Sequence, residues 1–317
     1  MPREMLIDTD TASDDAVALI MALRSPDVRV LAITTVAGNV DVAQASKNAL
    51  YVAELCDSAV PVYAGAATPL SRAPVRAHWF HGSDGLGDHG YPVPRRGLER
   101  LHAVDAVIET ATARPGLTLV TLGPLTNIAQ AIARRPDIAG RIARCVVMGG
   151  NPCCEGNVTP AAEYNIWCDP EAAAIVLRSG IPVELVGWHL CRGEAVLNAA
   201  DIEHVLGTGT PLARFAVECN TTAMEAYRVQ TGETGISLPD PVAMSIAIDP
   251  SICTSRTAHA VQVETASELT RGMTVVDRLN VSGDERNREV WEGAPRADVC
   301  WTLDVQRWKQ SLYAALR

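Results

Sequence analysis

Apolar residues in this chain fall mostly in short unbroken runs, separated by stretches whose apolar positions recur at helical spacing. Met5-Leu6-Ile7 reads as the end of a buried parallel strand. Ser13, followed by Asp14, Asp15 and the apolar run Ala16 to Leu23, reads as a helix N-terminus with Ser13 as cap. A second strand is predicted over Val28 to Val36, ending at Ala37-Gly38-Asn39, then a helix over Val42 to Leu55 and a short strand over Val60 to Tyr63. This βαβα rhythm predicts an α/β fold, an open and mostly parallel, doubly wound, Rossmann-like sheet with flanking helices. Function in such sheets sits on the loops at the carboxyl ends of the strands.

The periodicity lapses from Pro69 to Gly97, where Gly, Pro, His and aromatic residues gather, and a long aperiodic segment in a compact domain reads as a functional loop or lid. It resumes with a helix over Ala103 to Ala113 and strands over Leu117 to Leu122, Cys145 to Met148 and Pro182 to Gly187. Further helices are expected over Ala199 to Leu206 and over Pro211 to Tyr227. Asp169-Pro170 and Asp240-Pro241 each read as a capping Asp followed by Pro in the first helical turn. Glu163 and Asn165 alternate with Tyr164 and Ile166, which puts both on one side of an extended segment. Ala260 to Gln262, Arg271 to Asp277 and Ala297 to Leu303 read as a small β-hairpin region before a terminal helix from Asp304.

With 317 residues, 48% of them hydrophobic, one large core suffices, and residues 1–317 are expected to form a single domain. A net charge of −10 and a pI near 5.2 lack the basic footprint of a nucleic-acid binder. No run of 18 apolar residues and no basic, then apolar, leader is present, so a cytoplasmic protein without a membrane partner is expected. Nine cysteines without a CxxC pair read as reduced thiols, most of them in the core.

Composition changes the picture most at one turn. Asp8, Asp10, Asp14 and Asp15 put four carboxylates within eight residues where a strand meets a helix. At an effective dielectric near 20, two charges about 5 Å apart repel by roughly 3 kcal/mol. Helix-dipole stabilisation returns only about 0.3–1 kcal/mol each. One such Asp would be an ordinary turn or cap residue; four together call for a bound cation, raised pKa values, or both. Carboxylates with no neighbouring His or Cys favour Ca²⁺ or Mg²⁺ over Zn²⁺.

The pattern Asp8-Thr-Asp10-Thr-Ala-Ser-Asp14-Asp15 resembles the DxDxxxDD signature of the inosine-uridine-preferring nucleoside hydrolases, and nearly the whole chain shares that family's order of motifs. The resemblance implies Ca²⁺-dependent hydrolysis of the N-glycosidic bond of ribonucleosides to free base and ribose, with a place in purine or pyrimidine salvage. It implies that Asp10, Asp15, the main-chain carbonyl of Thr126 and Asp240 hold the ion, which also binds two ribose hydroxyls and the attacking water, with Asp10 as general base. Asp14, Asn39, Asn157, Glu163 and Asn165 match the residues that grip the ribose, and His81-Gly82-x-x-Gly85 resembles the family's active-site loop. Asp8 is expected to be a buried structural acid. Assembly as a homodimer or homotetramer is expected.

One departure stands out. Well-known members carry a His immediately before the last metal-binding Asp, where it protonates the departing base, and this chain has Pro239. His81, His189 and Tyr227 are the candidate replacements, with Trp79 and Trp188 as stacking partners of the base. The missing His also admits a non-catalytic ribose or nucleoside sensor. A haloacid-dehalogenase-type phosphatase, suggested by Asp8-Thr-Asp10-Thr, would need a well-placed Lys, and Lys occurs only at positions 47 and 309.

Overall fold

A computed structural model describes residues 2–317. The chain opens with β1 (Arg3–Thr9), α1 (Ser13–Arg24), β2 (Val28–Thr35), α2 (Val42–Leu55) and β3 (Val62–Ala64). The long segment that follows holds only one short helix, α3 (His78–His81), before α4 (Ala103–Ala113), β4 (Leu117–Thr121), α5 (Thr126–Arg134) and β5 (Ile142–Met148). Next come α6 (Tyr164–Cys168), α7 (Pro170–Arg178), β6 (Val183–Val186), α8 (Ala199–Gly207), α9 (Pro211–Glu218), α10 (Thr221–Thr231) and α11 (Pro239–Ile248). The chain closes with β7 (Cys253–Val263), β8 (Thr274–Val276), α12 (Arg288–Trp291), β9 (Arg296–Leu303) and α13 (Val305–Ala315).

These strands form a nine-stranded sheet in the order β3-β2-β1-β4-β5-β6-β9-β7-β8. Strands β1 to β6 pair parallel with one another, β9 pairs parallel with β6, and β7 is antiparallel to β9 and to β8. Along β1, Met5 and Ile7 enter one core cluster and Leu6 the other, as side chains alternating across a strand must. Helices α1, α2, α9, α11 and α13 cover the first face; α4, α5 and α7 cover the second. Ser13 to Ala22 of α1 are all buried, which explains an apolar run with no polar stripe. The chain leaves β1 toward β2 and β3, then returns to the other side of β1 with β4, so the strand order reverses between β1 and β4. The carboxyl edge there is where an open α/β sheet binds its ligand.

Four local expectations are corrected. Pro211 to Tyr227 is two helices, broken at Cys219 and Asn220, where Asn220 Nδ2 donates back to the Ala216 carbonyl. Glu163 and Asn165 do not lie on an extended segment: Glu163 is the N-cap of α6 and Asn165 is inside it. Ser13 is not a cap; Ala12 precedes the helix, and the Ser13 hydroxyl pairs with His81 Nδ1 at 2.9 Å. Nor is Asp240 a cap, because Leu238 holds that position and Asp240 lies inside the first turn. The expected C-terminal β-hairpin region is present, β7 pairing antiparallel with β8 and β9, and β9 also pairs with β6, so the hairpin continues the main sheet.

Candidate active site

Strand β1 carries Asp8 and Thr9 into the sheet, Asp10 sits just past its end, and Asp14 and Asp15 occupy the first turn of α1. Asp240 reaches the same point from the first turn of α11, which packs along α1. One carboxylate oxygen from each of Asp14, Asp15 and Asp240 lies within 4.8 Å of the others. Asp15 is oriented by Thr9 Oγ1 and by the Ala12 N–H at 3.0 Å. Asp10 Oδ2 accepts the Asn39 N–H at 2.6 Å. Two glycines wall Asp10 in: a Cβ at Gly123 would lie 2.7 Å from Oδ1, and one at Gly38 would fall on Oδ2.

These carboxylates are buried and, among the described residues, no Lys or Arg pairs with them. Asp10 Oδ1, Asp14 Oδ1 and Asp240 Oδ1 have no hydrogen-bond partner among the described residues. Burial pushes Asp14 and Asp15 up to about 6, and burial together with the neighbouring carboxylates raises Asp10 and Asp240 well above the carboxylate range. A divalent cation would lower all four. Asp8 stands behind the cluster, its Oδ1 held by Thr34 Oγ1 at 2.6 Å and Asn127 Nδ2 at 2.8 Å, and burial pushes it up to about 7.

A cleft of about 660 Å³, measured to its open mouth, lies over the cluster. Asp14, Asn39, Glu163, Asn165 and Asp240 line its buried floor. Glu163 accepts N–H groups from Asn165 (2.9 Å), Gly150 (2.9 Å) and Ile166, so its two oxygens are fixed toward the cleft, and burial raises it to about 7. Asn165 Nδ2 donates to the Leu122 carbonyl at 2.7 Å. Asn157 Oδ1 caps the Tyr164 N–H at 2.8 Å, and the Asn157 carbonyl accepts from Gln230 Nε2 across the cleft mouth. Tyr164 Oη reaches the carbonyls of Gly38 (3.0 Å) and Val75 (3.1 Å), tying the loop after β2 to the loop before α3.

Of the sequence-derived residues, Asp14, Asn39, Trp79, His81, Asn157, Glu163, Asn165, Trp188 and Asp240 line this cleft, with Asp10 and Asp15 against it. Thr126 does not reach it. Its carbonyl lies in the first turn of α5 and its hydroxyl donates to Asp169 at 2.6 Å, whereas Leu122, at the end of β4, lines the cleft. His189 also points elsewhere, Nε2 meeting the Cys300 carbonyl at 3.0 Å. Tyr227 is fully buried behind Trp188 and donates to Glu233; burial and that carboxylate raise its pKa, so it is no acid near neutrality. His81 is in the cleft, but burial lowers it to about 4. Leu122, Tyr164, Gln230 and Ser237 were not singled out from the sequence. A backbone carbonyl has no sequence signal, and the other three are common residue types.

The profile described as inosine-uridine preferring nucleoside hydrolase matches residues 5–310. The chain belongs to this family. Membership makes it a nucleoside hydrolase, a glycosidase. A pyrimidine-specific ribonucleoside hydrolase of Shewanella is 39% identical over 300 residues, covering 93% of each chain. Among solved structures, a plant nucleoside hydrolase superposes with a TM-score of 0.94 at 32% identity, covering 100% of this chain and 99% of its own. The purine-preferring ribonucleoside hydrolase from Gardnerella vaginalis gives 0.87 at 30% identity, covering 99% and 98%.

Proposed function

We propose that this nucleoside hydrolase cleaves ribonucleosides to free base and ribose with one Ca²⁺, held by Asp10, Asp15, Asp240 and the Leu122 carbonyl in place of that of Thr126. The observation that carries this reading is the set of unpartnered buried oxygens, Asp10 Oδ1, Asp14 Oδ1 and Asp240 Oδ1, converging with no Lys or Arg lining the cleft. Carboxylate and carbonyl oxygens at flexible angles suit Ca²⁺. When bound, the ion offsets the carboxylate charge, supplies a docking point for ribose hydroxyls and acidifies water. Asp10, clamped between Gly38 and Gly123 and fixed by the Asn39 N–H, takes the proton of the attacking water. Asp14, Asn39, Asn157, Glu163 and Asn165 orient the ribose, and Glu163 does so with both oxygens already fixed by backbone donors. Trp79, Phe80 and Trp188 surround the base. The test is reducing-sugar release from a panel of ribonucleosides with Ca²⁺ and again after chelation. Pro239 favours one second reading, a sensor, which would bind a nucleoside stoichiometrically and release no ribose from any member of the panel.

A further inference from the structure

The carboxylates that line the cleft, Asp14, Glu163 and Asp240, all belong to the ribose and ion floor proposed above, and His81 is tied to Ser13 (2.9 Å) with Asp14 Oδ1 at 3.9 Å, its ring 4.9 Å from that of Phe80. Tyr164, the remaining titratable residue of the lining, spends its hydroxyl on the Gly38 and Val75 carbonyls. What is left for the base is Trp79, Phe80, Val158, Trp188, Gln230, Ser237 and Pro239, none of which titrates. Ser237 Oγ donates to the Cys191 carbonyl, and Gln230 Nε2 to that of Asn157.

This asymmetry has a chemical meaning. When the C1′–N bond of uridine or inosine breaks, the electron pair leaves with a base that becomes an anion unless a proton arrives, and general-acid help is worth about 10²–10⁴-fold. A base bonded to ribose through a quaternary, positively charged ring nitrogen needs no proton. The pair goes to that nitrogen and cancels its charge, water forms the new C1′–O bond, its proton passes to Asp10, and the products are ribose, a neutral base and one proton. The aromatic side chains fit the same charge. Trp79 and Phe80 meet edge to face at 5.3 Å and Trp188 lies on the cleft wall, so the base site offers π faces and, with no Lys or Arg in the lining, nothing that repels a cation.

We infer that the preferred substrates are cationic N-ribosides, ribosylpyridinium or N7-alkylpurine ribosides, whose base departs uncharged from an aromatic pocket without a proton donor. The inference rests on the ribonucleoside hydrolase reading above and narrows its substrate class. The experiment measures kcat/KM on the Ca²⁺-loaded protein for nicotinamide riboside, 7-methylguanosine, uridine and inosine, each divided by its uncatalysed rate so that intrinsic lability is removed. The expected result is an advantage of about 10²-fold for at least one cationic riboside over both neutral ones, and the better of the two distinguishes a pyridine from a purine occupant. Pro239→His, which restores a titratable side chain beside Asp240, should raise the rate on uridine or inosine relative to that on the cationic substrates by at least tenfold. His81→Asn should slow cationic and neutral substrates by the same factor. Equal or better efficiency on uridine or inosine in the unaltered protein overturns this inference while leaving ribonucleoside hydrolysis standing, as does a loss in His81→Asn confined to the neutral substrates. Release of ribose from none of the four overturns the underlying reading.

Discussion

The sheet buries charge at both of its edges, in opposite ways. At the amino edge of β5 and β6, Glu184 is as buried as Asp240, yet it is paired with Arg144 at 2.5 Å and with Arg256. Arg144 donates further to the carbonyls of Ile246 (2.9 Å) and Ala247 (3.0 Å), closing the C-terminal end of α11. At the carboxyl edge, the other end of the same helix presents Asp240 to Asp14 and Asp15 with no cation in reach. A buried charge with its partner folded in beside it is a structural element. Buried like charges without one are kept at a cost to stability, because an external ion or substrate completes them.

Expectations that separate the two edges can be ranked by size. Matched 2′-deoxyribonucleosides should be turned over about 10⁴-fold more slowly than ribonucleosides, because the floor residues Asp14, Glu163 and Asn165 would be left unpaired in a buried site. Comparable steady-state rates on the two series would dissolve the ribose assignment. Asp10→Asn should lower kcat by about 10³-fold in a protein whose circular dichroism is unchanged; turnover like the parent's would remove Asp10 from the base role. Glu184→Gln is the counterpart: a loss of about 2 kcal/mol in urea unfolding, with kcat kept within twofold. A large fall in kcat with stability intact would mean that the two edges are not functionally distinct.

The smallest effect is a pH dependence, and its sign follows from the raised carboxylates. In the ion-free protein Asp14 and Asp15 titrate near 6 and Glu163 near 7, above their unfolded values, so the folded state holds extra protons between about pH 4 and 7. Stability from these groups is full below the unfolded pKa and is lost as pH rises through the folded one. Ca²⁺ displaces those protons, so its gain in Tm should be larger at pH 8 than at pH 5. Equal gains at both pH values, or no gain after verified loading, would count against an ion at this cluster.

What could be read from the sequence tracks how local each feature is. Strand β1, its turn and α1 are contiguous, so Asp8 to Asp15 announce both a carboxyl-edge site and its charge problem within eight residues. Asp240 looks like an ordinary cap before Pro241, and only family resemblance lifts it into the site. The carbonyl end of β4 is silent in a one-letter code, so nothing in the sequence singles out Leu122, rather than Thr126, as the residue that lines the cleft. His189 and Tyr227 follow the right elements, but their ring directions are set by Cys300 and Glu233, 111 and 6 residues away. Proximity to a sheet edge does not say which way a side chain turns.

The glycine walls around Asp10 carry a consequence for any library built on this scaffold. Gly38 and Gly123 lie 85 positions apart in the chain, yet each leaves room for the same carboxylate and for no β-carbon. Both positions should therefore be intolerant of every side chain, alanine included, whenever the selection is for turnover. Replacing Asp10 would free neither: a β-carbon at Gly123 would also lie 2.9 Å from the Asp10 main-chain N, and one at Gly38 2.8 Å from Pro124 Cδ, so neither position is closed by the carboxylate alone.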